Sequence, residues 1–338
     1  MTVFFGLGVT GRLGNQIIQY CIIRHLEKTH GISIYHSRWI GETFFQLDKV
    51  PDAVDHLVIK EISVDDDSFR YDKILKLKNE CMPEEIKPCK HTFIKNGTSE
   101  IFLSKGFDIQ NKVLFHYPRV NLSLLKSSES FLRSILQFKP ALQNIAYQTK
   151  HRVFGNNKLV VIHVRKGDFN LMVNPYFMFI TRLYTDWISN NLDGSKKLYV
   201  CGQPSQRIKK KFAKFRPVYF EDILNQNPSI QASHSYLDII IDQVLMRLED
   251  ELLISNSSFS FTSCMFSLNK NARFFKPNLE QGKLIEFSPW DSASYDVCPF
   301  GFRFLKLYLK YRPRFGLSFI YQIIKMTLKG QKIRDLSY

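Results

Sequence analysis

Three short clusters in this chain combine residue types and spacings suited to holding an anion. The first follows the apolar run Leu159-Val160-Val161-Ile162 and reads His163-Val164-Arg165-Lys166-Gly167-Asp168. An imidazole, a guanidinium and a carboxylate fall within six residues, with a glycine that lets the chain turn sharply. His163 and Arg165 are two apart and would share one face of a strand, so two donors could close on one anion. A plain Arg–Asp ion pair tying the strand to its loop is the alternative reading. The second cluster is Gly11-Arg12-Leu13-Gly14-Asn15-Gln16, leading into Ile17, Ile18, Gln19 and Tyr20. Its two glycines allow close backbone approach to a ligand, and Asn15 and Gln16 open a helix whose free N–H groups favour an anion. A simple N-cap role for Asn15 is the alternative. The third cluster, Ser257-Ser258-Phe259, follows a strand at a helix start, where hydroxyls and N–H groups meet phosphate or merely cap the helix.

A further pattern, Gly6-Leu7-Gly8-Val9-Thr10-Gly11, matches the dinucleotide-binding G-x-G-x-x-G loop. It would suit an NADP-dependent reductase with Arg38 on a 2′-phosphate. The acidic residue usual after the second strand is missing, and the one Tyr-x-x-x-Lys spacing, Tyr321 to Lys325, lies in the tail.

The elements that must position these clusters alternate. Residues 3–7 read as a strand, 15–29 as a helix and 32–35 as a strand; 51–128, charged and Pro-bearing, yields no firm assignment. A helix over 129–149 precedes a strand at 159–164. Then follow a helix at 177–190, strands at 198–201 and near 217–220 flanking a helix at 205–214, and a helix at 235–249. A strand at 251–255, a short helix from 259 and a strand at 273–276 complete the pattern. Such alternation predicts parallel sheets, and two blocks of it predict two Rossmann-like domains with a boundary near 150.

With 338 residues and 44% hydrophobic composition, the chain can bury substantial cores. Its net charge of +16 calls for an anionic partner: nucleic acid, a membrane surface or a phosphorylated small molecule. The lack of Arg/Gly-rich or Lys-run low-complexity segments speaks against nucleic acid. The six cysteines form no C-x-x-C pair, and Cys21, Cys201 and Cys264 in apolar surroundings read as reduced core residues. No signal peptide or membrane-spanning run is read, so a cytosolic, metal-free protein is expected. The acidic run Asp65-Asp66-Asp67 reads as a charged loop and not a metal site. From Phe302 onward nine Lys or Arg stand against one acid, Asp335. Arg303, Lys306 and Lys310 could share a helical face and lie on anionic lipid, or the apolar side could pack on the domain with the charges solvated.

Together the motifs resemble those of the α-1,2-fucosyltransferases and their wider fucosyltransferase relatives, which carry G-x-L-G-N-Q, H-x-R-R-x-D and N-S-S-F-S-W-W. The third match here includes Asp242 and Leu245-Met246, then Ile254-Ser255-Asn256-Ser257-Ser258-Phe259-Ser260. The chain departs from the pattern at Lys166, where a second Arg is usual, and at Phe261 and Thr262, where the Trp pair stands. It departs again at Tyr199-Val200-Cys201-Gly202-Gln203-Pro204, which lacks the usual Ser-Asp. The resemblance implies a GT-B-like α/β fold of two facing Rossmann-like domains. Residues 1–150 would form the acceptor side, 151–300 the nucleotide-sugar side, and 301–338 a basic amphipathic tail. It implies a metal-independent, inverting transfer of fucose from GDP-fucose to a glycan hydroxyl, O2 of galactose in surface polysaccharide synthesis. Arg165 would stabilise the leaving diphosphate and His163 would add a hydrogen bond. Asp168 would serve as base or, instead, hold Arg165. Asn15, Gly14, Gln16, Lys166, Asn256, Ser257, Ser258 and Phe259 would bind the donor. A lipid-linked acceptor and a place on the inner membrane face fit the tail. The competing classes are the reductase and a non-catalytic basic protein binding glycan or nucleic acid.

Overall fold

The computed structural model describes residues 2–5, 7–8, 12–36, 38–47, 90–94, 112–116, 122–165, 179–226, 237–294, 296, 306–307 and 310–311. The chain forms two compact units, Met1–Asn144 with Pro289–Ser294, and Ile145–Ser288 with Tyr295–Tyr338.

The first unit holds a parallel sheet in the order β2-β1-β4-β3, made by β1 (Thr2–Phe5), β2 (Ile34–His36), β3 (Lys90–Ile94) and β4 (Lys112–His116). Helix α1 (Leu13–His30) connects β1 to β2. Its Ile17, Ile18, Cys21, Ile22, Ile23 and Leu26 are buried, and so are the polar Gln16, Gln19 and His25. His25 is matched by Ser128, whose Oγ lies 2.8 Å from Nδ1. The helix ends at Gly31 in the left-handed region (φ 67°), with its N–H bonded to Glu27 O. Gly8 has a different reason to be glycine. With φ 80°, a Cβ there would stand 2.0 Å from the carbonyl oxygen of Arg38, so the loop after β2 presses directly on it.

Short α2 (Gly41–Phe44) follows, and the expected helix over 129–149 is broken in two, α3 (Glu129–Ile135) and α4 (Pro140–Phe154). Pro140 has no N–H to continue a helix but suits a first turn. The intervening Phe138 instead forms a bridge with Phe45. Within the stretch that resisted assignment, β3, β4 and a 3₁₀ helix at Leu122–Ser128 are now placed.

The second unit carries β6-β5-β7-β8-β9, built from β5 (Lys158–Val164), β6 (Lys196–Gly202), β7 (Glu251–Leu253), β8 (Arg273–Asn278) and β9 (Lys283–Glu286). Only β9 runs antiparallel, a strand not expected from the sequence. Val160, Ile162 and Val164 face one side with Leu198, Val200 and Leu253. Leu183, Tyr184 and Ile188 of α5 (Thr181–Asn191) and Ile208 and Phe212 of α6 (Gln206–Phe212) cover them. The strand expected near 217–220 is reduced to one bridge, Tyr199 with Val218. The cause is local: Tyr219 N–H is captured by the Asp222 carboxylate at 2.8 Å, which starts α7 (Phe220–Gln226).

Helices α8 (Leu237–Arg247) and α9 (Ser258–Met265) flank β7 in sequence. Cys21, Cys201 and Cys264 are buried and form no disulfide. Among the described residues, no helix is long and apolar enough to cross a membrane. At the tail, Leu307 joins the second unit's core and the Tyr311 hydroxyl donates to Leu279 O at 2.8 Å, while Lys306 and Lys310 are exposed. Arg303 lies outside the described residues.

Gly8 and Gly31, both left-handed, predict unequal costs. Gly31 has nothing within 4 Å of a built Cβ, so Gly31→Ala should cost about 1 kcal/mol. Gly8→Ala adds a backbone collision and should cost about 3 kcal/mol in urea unfolding. Equal losses would show that the Gly8–Arg38 contact is not a constraint.

Candidate functional site

Strands β5 and β7 pair in parallel with Ile162 opposite Leu253, so their carboxyl ends lie side by side. Polar residues at the ends of adjacent parallel strands share one crevice, the usual ligand position in open α/β sheets. Here His163 and Arg165 come from β5 and its exit, and Ser255 to Phe259 come from the exit of β7.

His163 is the anchor. It is 3% exposed, its Nδ1 lies 2.9 Å from Ser255 Oγ, and its ring packs on Phe259 at 5.4 Å between centroids. Burial, reinforced by the nearby Arg165 cation, pushes its pKa down to about 3. The imidazole is therefore neutral near pH 7 and offers one N–H, while half-buried Arg165 supplies the full positive charge. On the other side of the ring, Gly202 (φ 83°) has no room for a side chain. A Cβ would sit 2.5 Å from Val164 O and 3.2 Å from His163 Nε2.

Gly202 is itself held by Asp242 of α8. Its N–H donates to Asp242 Oδ2 at 3.0 Å, and the Tyr199 hydroxyl donates to Oδ1 at 2.5 Å. Burial raises the Asp242 pKa to about 7 despite these donors. Asp242 of α8, Gly202 of β6, His163 of β5 and Ser255 after β7 thus form a chain of fixed positions.

Helix α9 begins in this crevice. Ser257 occupies its N-cap with extended dihedrals (φ −136°, ψ 130°), yet its side chain makes no capping hydrogen bond. The first N–H groups of a helix have no acceptor within it, so this end presents donors and a positive dipole to an anion. Gln243 of α8 fixes the turn by donating to Phe259 O at 2.9 Å. The amide of Asn256 pairs with the backbone of Asp296, donating to its O at 2.6 Å and accepting from its N at 2.7 Å.

Lys166 and Asp168 lie outside the described residues. Gly14, Asn15 and Gln16 belong to the first unit. There the N-cap is Arg12 and not Asn15, which sits half-buried in the first turn of α1. Gln16 is buried and accepts from Ile40 N–H at 3.3 Å. The sequence alone assigns no role to Ser255, Gly202, Asp242 or Tyr199. Ser255 and Asp242 fell within quoted motifs, but their partners are distant in sequence. Among the described residues, no group of three or more His, Cys, Asp or Glu is placed to hold a metal ion.

Two Rossmann-type units of this build define a fold of the GT-B class. The fold is similar to that of NodZ, an α-1,6-fucosyltransferase solved after soaking with GDP-fucose. That similarity holds at 11% identity, a TM-score of 0.50, and coverage of 85% of this chain and 98% of NodZ. It is also similar to Arabidopsis thaliana FUT1, solved as a mutant in complex with GDP. There the identity is 10%, the TM-score 0.51, and the coverage 82% of this chain and 70% of the other. No family model and no curated protein sequence matches.

Asp242 and His163 predict opposite pH effects. Folded Asp242 keeps its proton to about pH 7, whereas the unfolded chain loses it near 3.8. Its contribution to stability is therefore full below 3.8 and lost as pH rises through 7. Folded His163 stays neutral to about pH 3 while the unfolded chain takes up a proton near 6.5, so its contribution is lost as pH falls through that range. Between pH 4 and 8, wild type should lose stability relative to Asp242→Asn as pH rises, and His163 ring resonances should not titrate from pH 5 to 8. A pH-independent difference between the two proteins would show that Asp242 is ionised throughout.

Proposed function

We propose that this chain is an inverting glycosyltransferase that moves fucose from GDP-fucose to a hydroxyl of a glycan. The observation that supports it most is the pairing, on a GT-B fold, of Arg165 with the uncapped N-terminus of α9 at adjacent strand ends. In the transfer, the bond between fucose C1 and the β-phosphate oxygen breaks while the acceptor oxygen bonds to C1 from the opposite face. Negative charge grows on the departing diphosphate and the sugar becomes oxocarbenium-like. Fixed donors aimed at that phosphate stabilise the transition state more than the ground state.

Arg165, with a planar fork suited to phosphate oxygens, is the principal group in this reading. Neutral His163 contributes a hydrogen bond, and Ser257, Ser258 and Phe259 contribute hydroxyls and helix N–H groups. Lys166 keeps a charge but not the bidentate geometry of an arginine. Gly14, Asn15 and Gln16 are further donor contacts in this reading, carried by the motif resemblance. The acceptor proton leaves late in so dissociative a reaction, so Asp168 acts as its acceptor or holds Arg165.

The α-1,2 linkage to galactose rests on the sequence motifs, since NodZ is an α-1,6 enzyme with the same fold. The reductase reading loses its main support, because Gly8 is required by the Arg38 carbonyl irrespective of any dinucleotide. In a panel of GDP- and UDP-sugars with EDTA present, GDP-fucose should release nucleotide. Arg165→Ala should lower that turnover by about 10²–10³-fold with an unchanged unfolding temperature. Turnover of another donor, or a variant that simply unfolds, would contradict the assignment.

The basic tail would hold the enzyme at the cytoplasmic face of a membrane, near lipid-linked acceptors. Because Leu307 and Tyr311 pack on the second unit, the informative truncation removes residues 312–338 only. It should abolish salt-sensitive binding to phosphatidylserine vesicles without unfolding the protein. Unchanged vesicle binding would exclude the tail as the membrane contact.

A further inference from the structure

We propose that Asn256 is a positioning residue: its two-bond pairing with Asp296, where the chain returns from the six-residue excursion Pro289–Ser294, sets the geometry of the donor-side loop within the second unit. Phe287 is still held in the second unit, its N–H donating to Phe274 O at 3.0 Å. Pro289–Ser294 then belongs to the first unit, where Leu122 N–H donates to Ser292 O at 3.0 Å and Lys126 pairs with Asp291 at 2.6 Å. Trp290 and Ser294 are buried there, at 3% and 1% exposure. At Asp296 the chain is back in the second unit, and Asn256 receives it.

The attachment is specific in form. A side-chain amide matched to one residue's N–H and C=O reproduces the two-bond pairing of a strand neighbour, at 2.7 and 2.6 Å. The Asp296 carboxylate is held separately by Lys276 of β8 at 3.1 Å, and the Lys276 ammonium also lies over the Phe287 ring. Both ends of the excursion are therefore fastened, and the later fastening falls on the residue between Ser255 and Ser257. Ser255 orients His163, and Ser257 is the N-cap of α9. Loosening the Asn256–Asp296 pairing thus reaches the His163–Ser255 bond and the helix N-terminus through the residue between Ser255 and Ser257. The amide is engaged on both polar atoms, so Asn256 acts on the donor by placing its neighbours. This inference rests on the fucosyltransferase reading for its ligand, but not for the coupling itself.

The test combines hydrogen exchange on the full, ligand-free chain with GDP titration and GDP-fucose kinetics. Asn256→Ala should raise exchange together in peptides covering Ser255–Ser260 and Pro289–Asp296. It should also weaken GDP about tenfold, the scale of one net hydrogen bond, and lower kcat/KM for GDP-fucose by at least as much, because the displaced groups face the departing diphosphate. Lys276→Met loosens the same segment without touching the donor-side loop, and should give a smaller change of the same pattern. Faster exchange confined to Pro289–Asp296, with GDP binding intact, would overturn the proposal. Weaker GDP binding without any change in exchange would overturn it too, by making Asn256 a ligand. If wild type binds no GDP, the functional reading fails, while the exchange result still decides the coupling.

Discussion

The parallel pairing of β5 with β7, Ile162 opposite Leu253, is the constraint on which the candidate site depends. Parallel strands end on the same side of a sheet, so two separate stretches of sequence deliver their polar residues to one crevice. The His163–Ser255 hydrogen bond, 2.9 Å long and fully buried, joins the two exits just beyond the last paired residues. Behind them, Tyr184 of α5 donates to Ile254 O at 2.9 Å and fixes the end of β7 from the opposite face. The far end of the sheet is tied by the half-buried Lys196–Glu251 pair at 2.9 Å and by Asp250, which accepts from Leu159 N–H at 2.7 Å. The polar crevice is thus held by a sheet secured at both ends, which lets its groups keep their aim without a ligand.

Charge is distributed unevenly within that crevice. Burial removes the proton from His163 and keeps one near Asp242, so neither carries a full charge under mildly acidic conditions. Arg165, at the strand exit and half-buried, is left as the cation. A second buried positive charge beside it would be costly to desolvate; a neutral imidazole gives direction without that penalty. The helix N-terminus adds partial positive charge in the same way, through fixed dipoles.

Much of this was legible in the sequence because the signals were local. The run from Leu159 to Val164 is apolar and rich in β-branched residues, and the strand formed within a residue of its expected bounds. Ser258 likewise begins α9 one residue before the expected start. What escaped was non-local or set by a single side chain. The Asp222 carboxylate turns Tyr219 into a helix start and leaves Val218 as a lone bridge. Pro140 divides a helix that periodicity alone would continue. Strand β9 depends on the turn at Asn278, whose Oδ1 accepts from the N–H groups of Glu280 and Gln281. In the site, Asp242 meets Tyr199 and Gly202 across 43 and 40 residues, and Asn256 meets Asp296 across 40, separations that no periodicity reveals.

The most direct test of the central claim is a crystal structure of the full chain with GDP. The β-phosphate should lie within hydrogen-bonding distance of the Arg165 guanidinium and of the N–H groups that open α9, with the His163–Ser255 bond retained. A diphosphate bound elsewhere, or one that leaves Arg165 and the start of α9 in contact with solvent alone, would contradict it.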